Sequence, residues 1–265
     1  MPTKTLEQWE REEIERSASD AAKAIQRDLR VHDVARYMSP PNDTVYPLEY
    51  CYALLGDLSE KCVLDLGCGD GLNAVALALR GATVIGCDIS PELIAVAQQR
   101  VSVNCTPEQA RRVDLRVGSA YLLPVEDKSI DIVLGIAILH HLDLAPAARE
   151  VQRVLRDGGR AIFLEPVRNS AFVRFVRGAI PYTTPDVSRG ERPLTDAELD
   201  LFTKTAGFAT VRSKAFMLPT SNLLSVLPWL GAKTLHARHR WDTRLLRRFP
   251  ALRPFASLRV LECWL

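Results

Sequence analysis

Val63-Leu64-Asp65-Leu66-Gly67-Cys68-Gly69-Asp70-Gly71 is the stretch on which the fold turns: an apolar run carrying one acid, broken by three alternating glycines. Glycine suits a backbone that must bend sharply or approach a ligand with no Cβ in the way. Leu72–Arg80 continues with helical spacing, so the glycines fall where a strand gives way to a helix whose first amide hydrogens lack intrahelical partners. Alone, a glycine pattern is weak evidence. Here Val84-Ile85-Gly86-Cys87-Asp88 ends the next apolar run with a carboxylate, about twenty residues beyond the first glycine, the spacing suited to gripping ribose hydroxyls.

Outward from this core, short apolar runs alternate with helical stretches, as in a parallel sheet with crossover helices. Strands are expected at Cys62–Leu66, Thr83–Cys87, Val113–Val117, Ile130–Leu134 and Arg160–Leu164, and helices over Leu72–Arg80, Pro91–Val103 and Ala145–Leu155. Ser90 caps the second helix and Pro91 opens it; Asp157-Gly158-Gly159 is expected to close the third with a glycine turn. Thr195-Asp196-Ala197-Glu198 reads as a capping box for a helix running to Thr205 and closed by Gly207. Phe208–Phe216 and Ser257–Leu265 read as a final antiparallel pair. The fold class is α/β: a Rossmann-like, seven-stranded, mostly parallel sheet with helices on both faces.

Ahead of the sheet, residues 1–45 read as an N-terminal helical lid, with apolar positions such as Ile14, Ala18, Ala21, Ala22 and Ile25 at helical spacing, stopped by Ser39-Pro40-Pro41-Asn42-Asp43. Residues 46–265 then form the main domain, with insertions at about 166–194 and 220–256 that include a C-terminal helical insertion.

Bulk properties narrow the class. With 47% hydrophobic and 25% charged residues in 265, the chain is a globular protein rather than a disordered one, and one large domain suffices. Met1 to Asp20 is charged and lacks the apolar core of a signal peptide, and no apolar run reaches spanning length. Six scattered cysteines show no metal-binding spacing, so free thiols and a cytoplasmic location are expected, with no metal site. The net charge of +2 conceals an asymmetry: Arg168 to Val260 holds 16 Lys and Arg against 6 Asp and Glu, which leaves the rest of the chain acidic. A basic C-terminal third favours an anionic partner, a membrane surface in peripheral contact, or nucleic acid.

Asp65 to Gly71 resembles the first motif of class I S-adenosylmethionine-dependent methyltransferases, and Asp88 resembles their ribose-binding acid. Gly118-Ser119-Ala120-Tyr121-Leu122-Leu123-Pro124, followed by Ser129-Ile130-Asp131-Ile132-Val133, is similar to that family's adenine-contact loop and fourth strand. Leu139-His140-His141-Leu142 resembles the segment just after it, and Leu155-Arg156-Asp157-Gly158-Gly159-Arg160 the turn into the fifth strand. The resemblance spans roughly Cys62 to Pro166. It implies the cofactor S-adenosyl-L-methionine, contacted by Tyr37, Asp65, Gly67, Cys68, Gly69, Gly71, Asp88, Ile89, Ser119, Ala120 and Ile136. By the same resemblance Asp65 orders the loop and reaches the amino group, and Asp88 takes both ribose hydroxyls. Many relatives have Asp where this chain has Ser119, whose hydroxyl is a weaker acceptor for the adenine amino group.

The implied reaction is transfer of a methyl group to a small-molecule acceptor by in-line displacement, for which alignment matters most and no metal is required. If the acceptor carries a proton, a base must stand nearby; His140 and His141 follow a strand end, where open α/β sheets bind ligands, and Glu165 ends the next strand. Against this stand blander roles: His141 packing under the cofactor loop with His140 solvated, and Glu165 paired with an arginine such as Arg168. Tyr37 and Tyr46 flank the proline cluster, placed either to close over the cofactor or to pack in the lid. Phe172-Val173-Arg174-Phe175-Val176-Arg177 and Leu245-Leu246-Arg247-Arg248-Phe249 are both greasy and basic, suiting a lipophilic or anionic substrate or a lipid surface.

Three other functions compete. A dinucleotide site would show GxGxxG, not the GxGxG present here. A nucleic-acid methyltransferase fits the basic tail, but no Asn/Asp-Pro-Pro-Tyr/Phe string follows the fourth strand, so nucleic acid is disfavoured. A non-catalytic cofactor-binding relative acting as a partner subunit would keep the glycines and Asp88 without turnover.

Overall fold

The computed structural model describes residues 5–8, 10, 11, 13–15, 17, 29–32, 34–170, 193–218 and 235–265. The sheet among them has seven strands: β1 (Cys62–Leu66), β2 (Thr83–Asp88), β3 (Val113–Val117), β4 (Ile130–Ile136), β5 (Leu155–Pro166), β6 (Thr210–Phe216) and β7 (Leu258–Trp264). Their spatial order is β3-β2-β1-β4-β5-β7-β6. β1 pairs in parallel with β2 and β4, while β7 runs antiparallel between β5 and β6. The sheet is therefore parallel except for β7, as the expected final pair required.

Period-two alternation along the central strands divides the core in two. On one face Leu64, Leu66, Ala161, Phe163, Leu261 and Cys263 pack against helices; on the other Val63, Ile162, Leu164 and Val260 do the same. The first face is covered by α6 (Leu144–Val154) and α7 (Asp196–Thr205), through Ala148, Val151, Leu199 and Phe202, with Phe163 and Phe202 meeting edge to face. The second is covered by α2 (Pro47–Leu55) and α3 (Leu72–Leu79), through Cys51, Tyr52, Leu55, Ala74 and Leu77. α1 (Ala35–Met38) leans on this second face, α4 (Pro91–Asn104) flanks β2 and β3, α5 (Pro107–Ala110) packs on α3 and α4, and α8 (Leu235–Arg248), between β6 and β7 in sequence, packs on β6.

The helix signals act as read. Ser90 Oγ accepts the Leu93 amide hydrogen with Pro91 in the first turn of α4, and Thr195 and Glu198 form the reciprocal capping box of α7. Gly207 follows in the left-handed region, φ +71°. One boundary differs. Asp157-Gly158-Gly159 does not close α6: the helix stops at Val154, and β5 begins at once with the fully buried Leu155 opposite Ile130. The register then shifts, so these residues form a bulge within β5, with Gly158 at φ +72°.

Part of the N-terminal reading also stands in the structure: the described residues between 6 and 17 are helical. Ala18, Ala21, Ala22 and Ile25 lie outside the described residues, as do Phe172-Val173-Arg174-Phe175-Val176-Arg177 and much of both insertions. Within α8, Leu246 is buried against Leu218 and Ala256, whereas Arg247, Arg248 and Phe249 are exposed. Asp242, also buried, accepts the Leu218 amide hydrogen at 3.0 Å, fixing the end of β6 to this helix. Among the described residues, no helix is long and apolar enough to cross a membrane.

Candidate functional site

Strand order reverses between β1 and β4, and a crevice opens there at the carboxyl ends of the parallel strands. It is lined by Leu66 and Gly67 after β1, by Cys87, Asp88 and Ile89 at the end of β2, and by Gly118 to Tyr121 beyond β3. Ile138, His141 and Leu142 after β4 close the opposite end, and Glu10 and Glu13 of the N-terminal helix lie across it.

The bend after β1 is built for close approach. Gly67 (φ +69°) and Cys68 both donate to the Cys87 carbonyl, at 2.8 and 3.1 Å, which locks the loop to the end of β2. A Cβ on Gly67 would stand 2.5 Å from the Ile138 side chain, at the cavity wall. At Gly71 (φ +83°) it would stand 2.7 Å from the Ala97 Cβ and 2.8 Å from the Ala97 Cα, so that glycine lets α3 and α4 touch. Gly69 (φ +50°) has open space around it. Arg100, almost fully buried, reaches back to donate to the Asp70 carbonyl at 2.8 Å and to its carboxylate at 2.6 Å.

Two carboxylates serve this loop differently. Asp88 accepts from the Gly69 amide at 2.9 Å through Oδ2 and from the Ser90 amide at 3.0 Å through Oδ1, while facing the cavity. Asp65 is fully buried beneath the bend, and neither of its oxygens has a hydrogen-bond partner of good geometry. Burial, reinforced by the charges of Asp88 and Asp70 and opposed by the Ala74 amide, pushes its carboxyl up to about 7. A buried acid in that state favours a nearby positive group. Burial likewise pushes the Cys87 thiol, on the cavity wall, up to about 12.

At the β4 end, a 3-10 turn, Leu139–His141, follows the left-handed Ala137 (φ +55°). Glu165, fully buried at the end of β5, accepts the amide hydrogens of Ile138 and Leu139 at 2.9 and 2.8 Å through Oε1. Its Oε2 lies 2.9 Å from His140 Nδ1. His140 is thus the buried histidine, and His141 is the one on the cavity wall, its ring 3.8 Å from that of His140. A solvated His140 is not what the structure has, because the turn points that ring back at the carboxylate of β5. Glu165 likewise takes a histidine and two amides as partners where an arginine was the bland expectation.

Ser119 and Ala120 line the rim beyond β3. The Ser119 hydroxyl accepts the Tyr121 amide hydrogen at 3.0 Å and donates to the Glu10 carboxylate. Tyr121, whose hydroxyl burial shifts upward, accepts the Asp143 amide hydrogen at 2.9 Å. Tyr37 and Ile136 lie apart from the cavity: Tyr37 stacks on Tyr52 with ring centroids 4.8 Å apart, and Ile136 packs in the α2/α3 core. Tyr46 meets the C-terminal insertion, its hydroxyl 3.1 Å from His236 Nδ1. Sequence reasoning passed over Glu10 and Glu13. Their only signal is an i, i+3 acid pair on one helix face, which says nothing of the loop more than a hundred residues away.

A crevice of this strand order, with a glycine bend and an acid at the end of β2, is the arrangement of a Rossmann-like class I methyltransferase fold. Comparison with known proteins agrees. A family model described as a methyltransferase domain matches residues 64–163. A probable S-adenosylmethionine-dependent methyltransferase of Mycolicibacterium smegmatis is 31% identical over 217 residues, 74% of this chain and 74% of that protein. The ubiquinone biosynthesis O-methyltransferase of Pseudomonas putida is 33% identical over 159 residues, 57% of this chain and 65% of that enzyme. The chain spans about half the length of other curated relatives that it matches. In fold it is similar to the geranyl diphosphate C-methyltransferase of Streptomyces coelicolor A3(2), with a TM-score of 0.57 over 97% of this chain and 96% of that one, at 14% identity. The chain belongs to the S-adenosylmethionine-dependent methyltransferase family.

Proposed function

We propose that the protein binds S-adenosyl-L-methionine in this crevice and transfers its methyl group to a small-molecule acceptor. The observation that carries the reading is the charge of the cavity. Asp88, Glu10 and Glu13 line it, Asp65 lies beneath its floor, and no Lys or Arg is among the described lining residues. An acidic, glycine-cupped crevice suits a cationic nucleoside and repels a pyrophosphate, which disfavours the dinucleotide alternative.

When bound, the sulfonium supplies an already activated methyl group. The chain's residues then hold and orient: the Gly67 bend admits the ligand, Asp88 takes the ribose hydroxyls, and the raised Asp65 carboxyl is stabilised in its charged form by the ammonium group. We assign His141, on the cavity wall, to the acceptor, either orienting it or taking its proton. His140 and Glu165 are positioning residues that fix the turn on which His141 stands.

Residues 1–45 serve as a lid and the two insertions complete the acceptor side in this reading. The acceptor is proposed to be lipophilic or anionic. The relative named for ubiquinone biosynthesis supports the first property, and the basic C-terminal third supports the second. Free cysteines, four of them buried, support a cytoplasmic location. Titration calorimetry tests the core claim: affinity for S-adenosylhomocysteine, none for NAD, and a loss of roughly 100-fold or more in Asp88→Ala are expected. Undiminished affinity in that variant rejects the site. Transfer of labelled methyl to a panel of lipophilic phenols and acids then tests turnover.

A further inference from the structure

We propose that Glu10, on the N-terminal helix, recognises the exocyclic amino group of the cofactor's base, so that cofactor recognition is completed by a segment outside the sheet. This rests on the cofactor reading above and adds the identity of one recognition group.

With the sugar on Asp88 at the end of β2, the base must extend one way or the other along the strand ends. Toward β4 stand His141 and Leu142, where the acceptor meets the methyl group; toward β3 stand Gly118, Ser119 and Ala120. The base therefore lies on the β3 rim. An adenine edge presents an amino donor beside a ring-nitrogen acceptor, so the rim must offer an acceptor beside a donor. Backbone amides supply the donor. The nearby side-chain acceptor in the strand-end loop, the Ser119 hydroxyl, already gives its one hydrogen to Glu10 and takes that of the Tyr121 amide.

Glu10 is better equipped. Its carboxylate offers about four lone-pair sites, one of which Ser119 fills, and hydrogen bonds to an ionised acceptor are roughly twice as strong as neutral ones. Its place over the rim is fixed twice: by Ser119 at the β3 end, and by Glu13, one turn along the same helix face, whose Oε2 lies 3.8 Å from His141 Nδ1 at the β4 end. The helix thus runs along the cavity with one acid over each end, and both acids line it.

The competing account is that Glu10 only tethers the helix to Ser119. The two differ in whether the carboxylate senses the base. Affinities of the full chain for S-adenosylhomocysteine and for its analogue with hydrogen in place of the 6-amino group separate them. The wild type is expected to prefer the amino ligand by about 10- to 100-fold, the worth of a charged hydrogen bond. Glu10→Ala is expected to bring that preference to within about threefold. Ser119→Asp in the Glu10→Ala background, which returns a carboxylate to the rim, is expected to restore most of it. If Glu10→Ala weakens both ligands equally, or changes neither, the proposal is overturned and Glu10 is a tether or a bystander. Failure of the wild type to bind either ligand overturns the cofactor reading itself, a different result from binding without discrimination.

Discussion

Glu165 and His140 form a buried pair, Oε2 to Nδ1 at 2.9 Å, while the other Glu165 oxygen collects two backbone amides of the turn that carries both histidines. The carboxylate at the end of β5 therefore determines where the end of β4 goes. Glu165→Gln replaces one acceptor oxygen with a donor, which must either oppose the two amide hydrogens or force His140 into the tautomer whose Nδ1 accepts. It is expected to lower stability by about 1–3 kcal/mol in chemical denaturation. It should also cut kcat more than cofactor affinity; an unchanged denaturation midpoint contradicts this role.

His141→Ala removes the cavity-facing ring and its contact with the His140 ring, while leaving the Glu165 hydrogen bonds in place. The expected result is a modest loss of cofactor affinity, through the lost Glu13 contact, with kcat reduced roughly 100-fold or more if the acceptor must lose a proton. A kcat within a few-fold of wild type shows that His141 neither abstracts nor orients.

If Asp65 meets the cofactor's ammonium group as proposed, cofactor binding is pH-dependent. Its carboxyl lies at about 7 in the folded protein against an ordinary 3.8, so the empty folded state holds the proton more tightly than the unfolded chain. Its effect on stability is accordingly mildest below the unfolded value and grows more unfavourable as pH rises toward 7. Asp65→Asn should be no more stable than wild type near pH 4 but more stable above pH 7, by roughly 2–4 kcal/mol. A cationic ligand lowers this pKa, so affinity should rise with pH up to about 7, with proton release below that. Calorimetry in buffers of different ionisation enthalpy measures the proton count; zero at pH 6.5 rejects the linkage.

The three loop glycines should respond unequally to alanine. At Gly71 the new methyl meets the Ala97 backbone 2.8 Å away at φ +83°, whereas at Gly69 it meets open space at φ +50°. Gly71→Ala is expected to cost about 3 kcal/mol or more through overpacking plus left-handed strain, and Gly69→Ala only about 1–2 kcal/mol. Thermal melts of the ligand-free proteins check the ranking, and the reverse order refutes it.

What the sequence disclosed was whatever depends on local chemistry. The bend at Gly67 to Gly71, the acid at Asp88, the caps at Ser90 and Thr195 and the alternation of the strands each follow from a few neighbouring residues. What it withheld depends on distant groups meeting. The partner of His140 lies 25 residues on, at the end of the neighbouring strand, and that of Ser119 lies 109 residues back on a separate helix. Tyr37 sits near the right elements, yet Tyr52 offers it a ring to pack on, and packing took it from the cavity. Asp157-Gly158-Gly159 reads as a helix terminator because that is the commoner use of the string, while here buried Leu155 starts the strand early and leaves the glycines to absorb the surplus.

The single reversed strand has a practical side. β4 stands between the glycine-lined wing, β1 to β3, and the wing of β5, β7 and β6, after whose strands the two insertions fall in sequence. On the proposal that the insertions complete the acceptor side, a hybrid that takes everything beyond Val167 from a homologue should still capture the same sulfonium donor. The molecule is then organised, on that proposal, like a fixed handle with an exchangeable head.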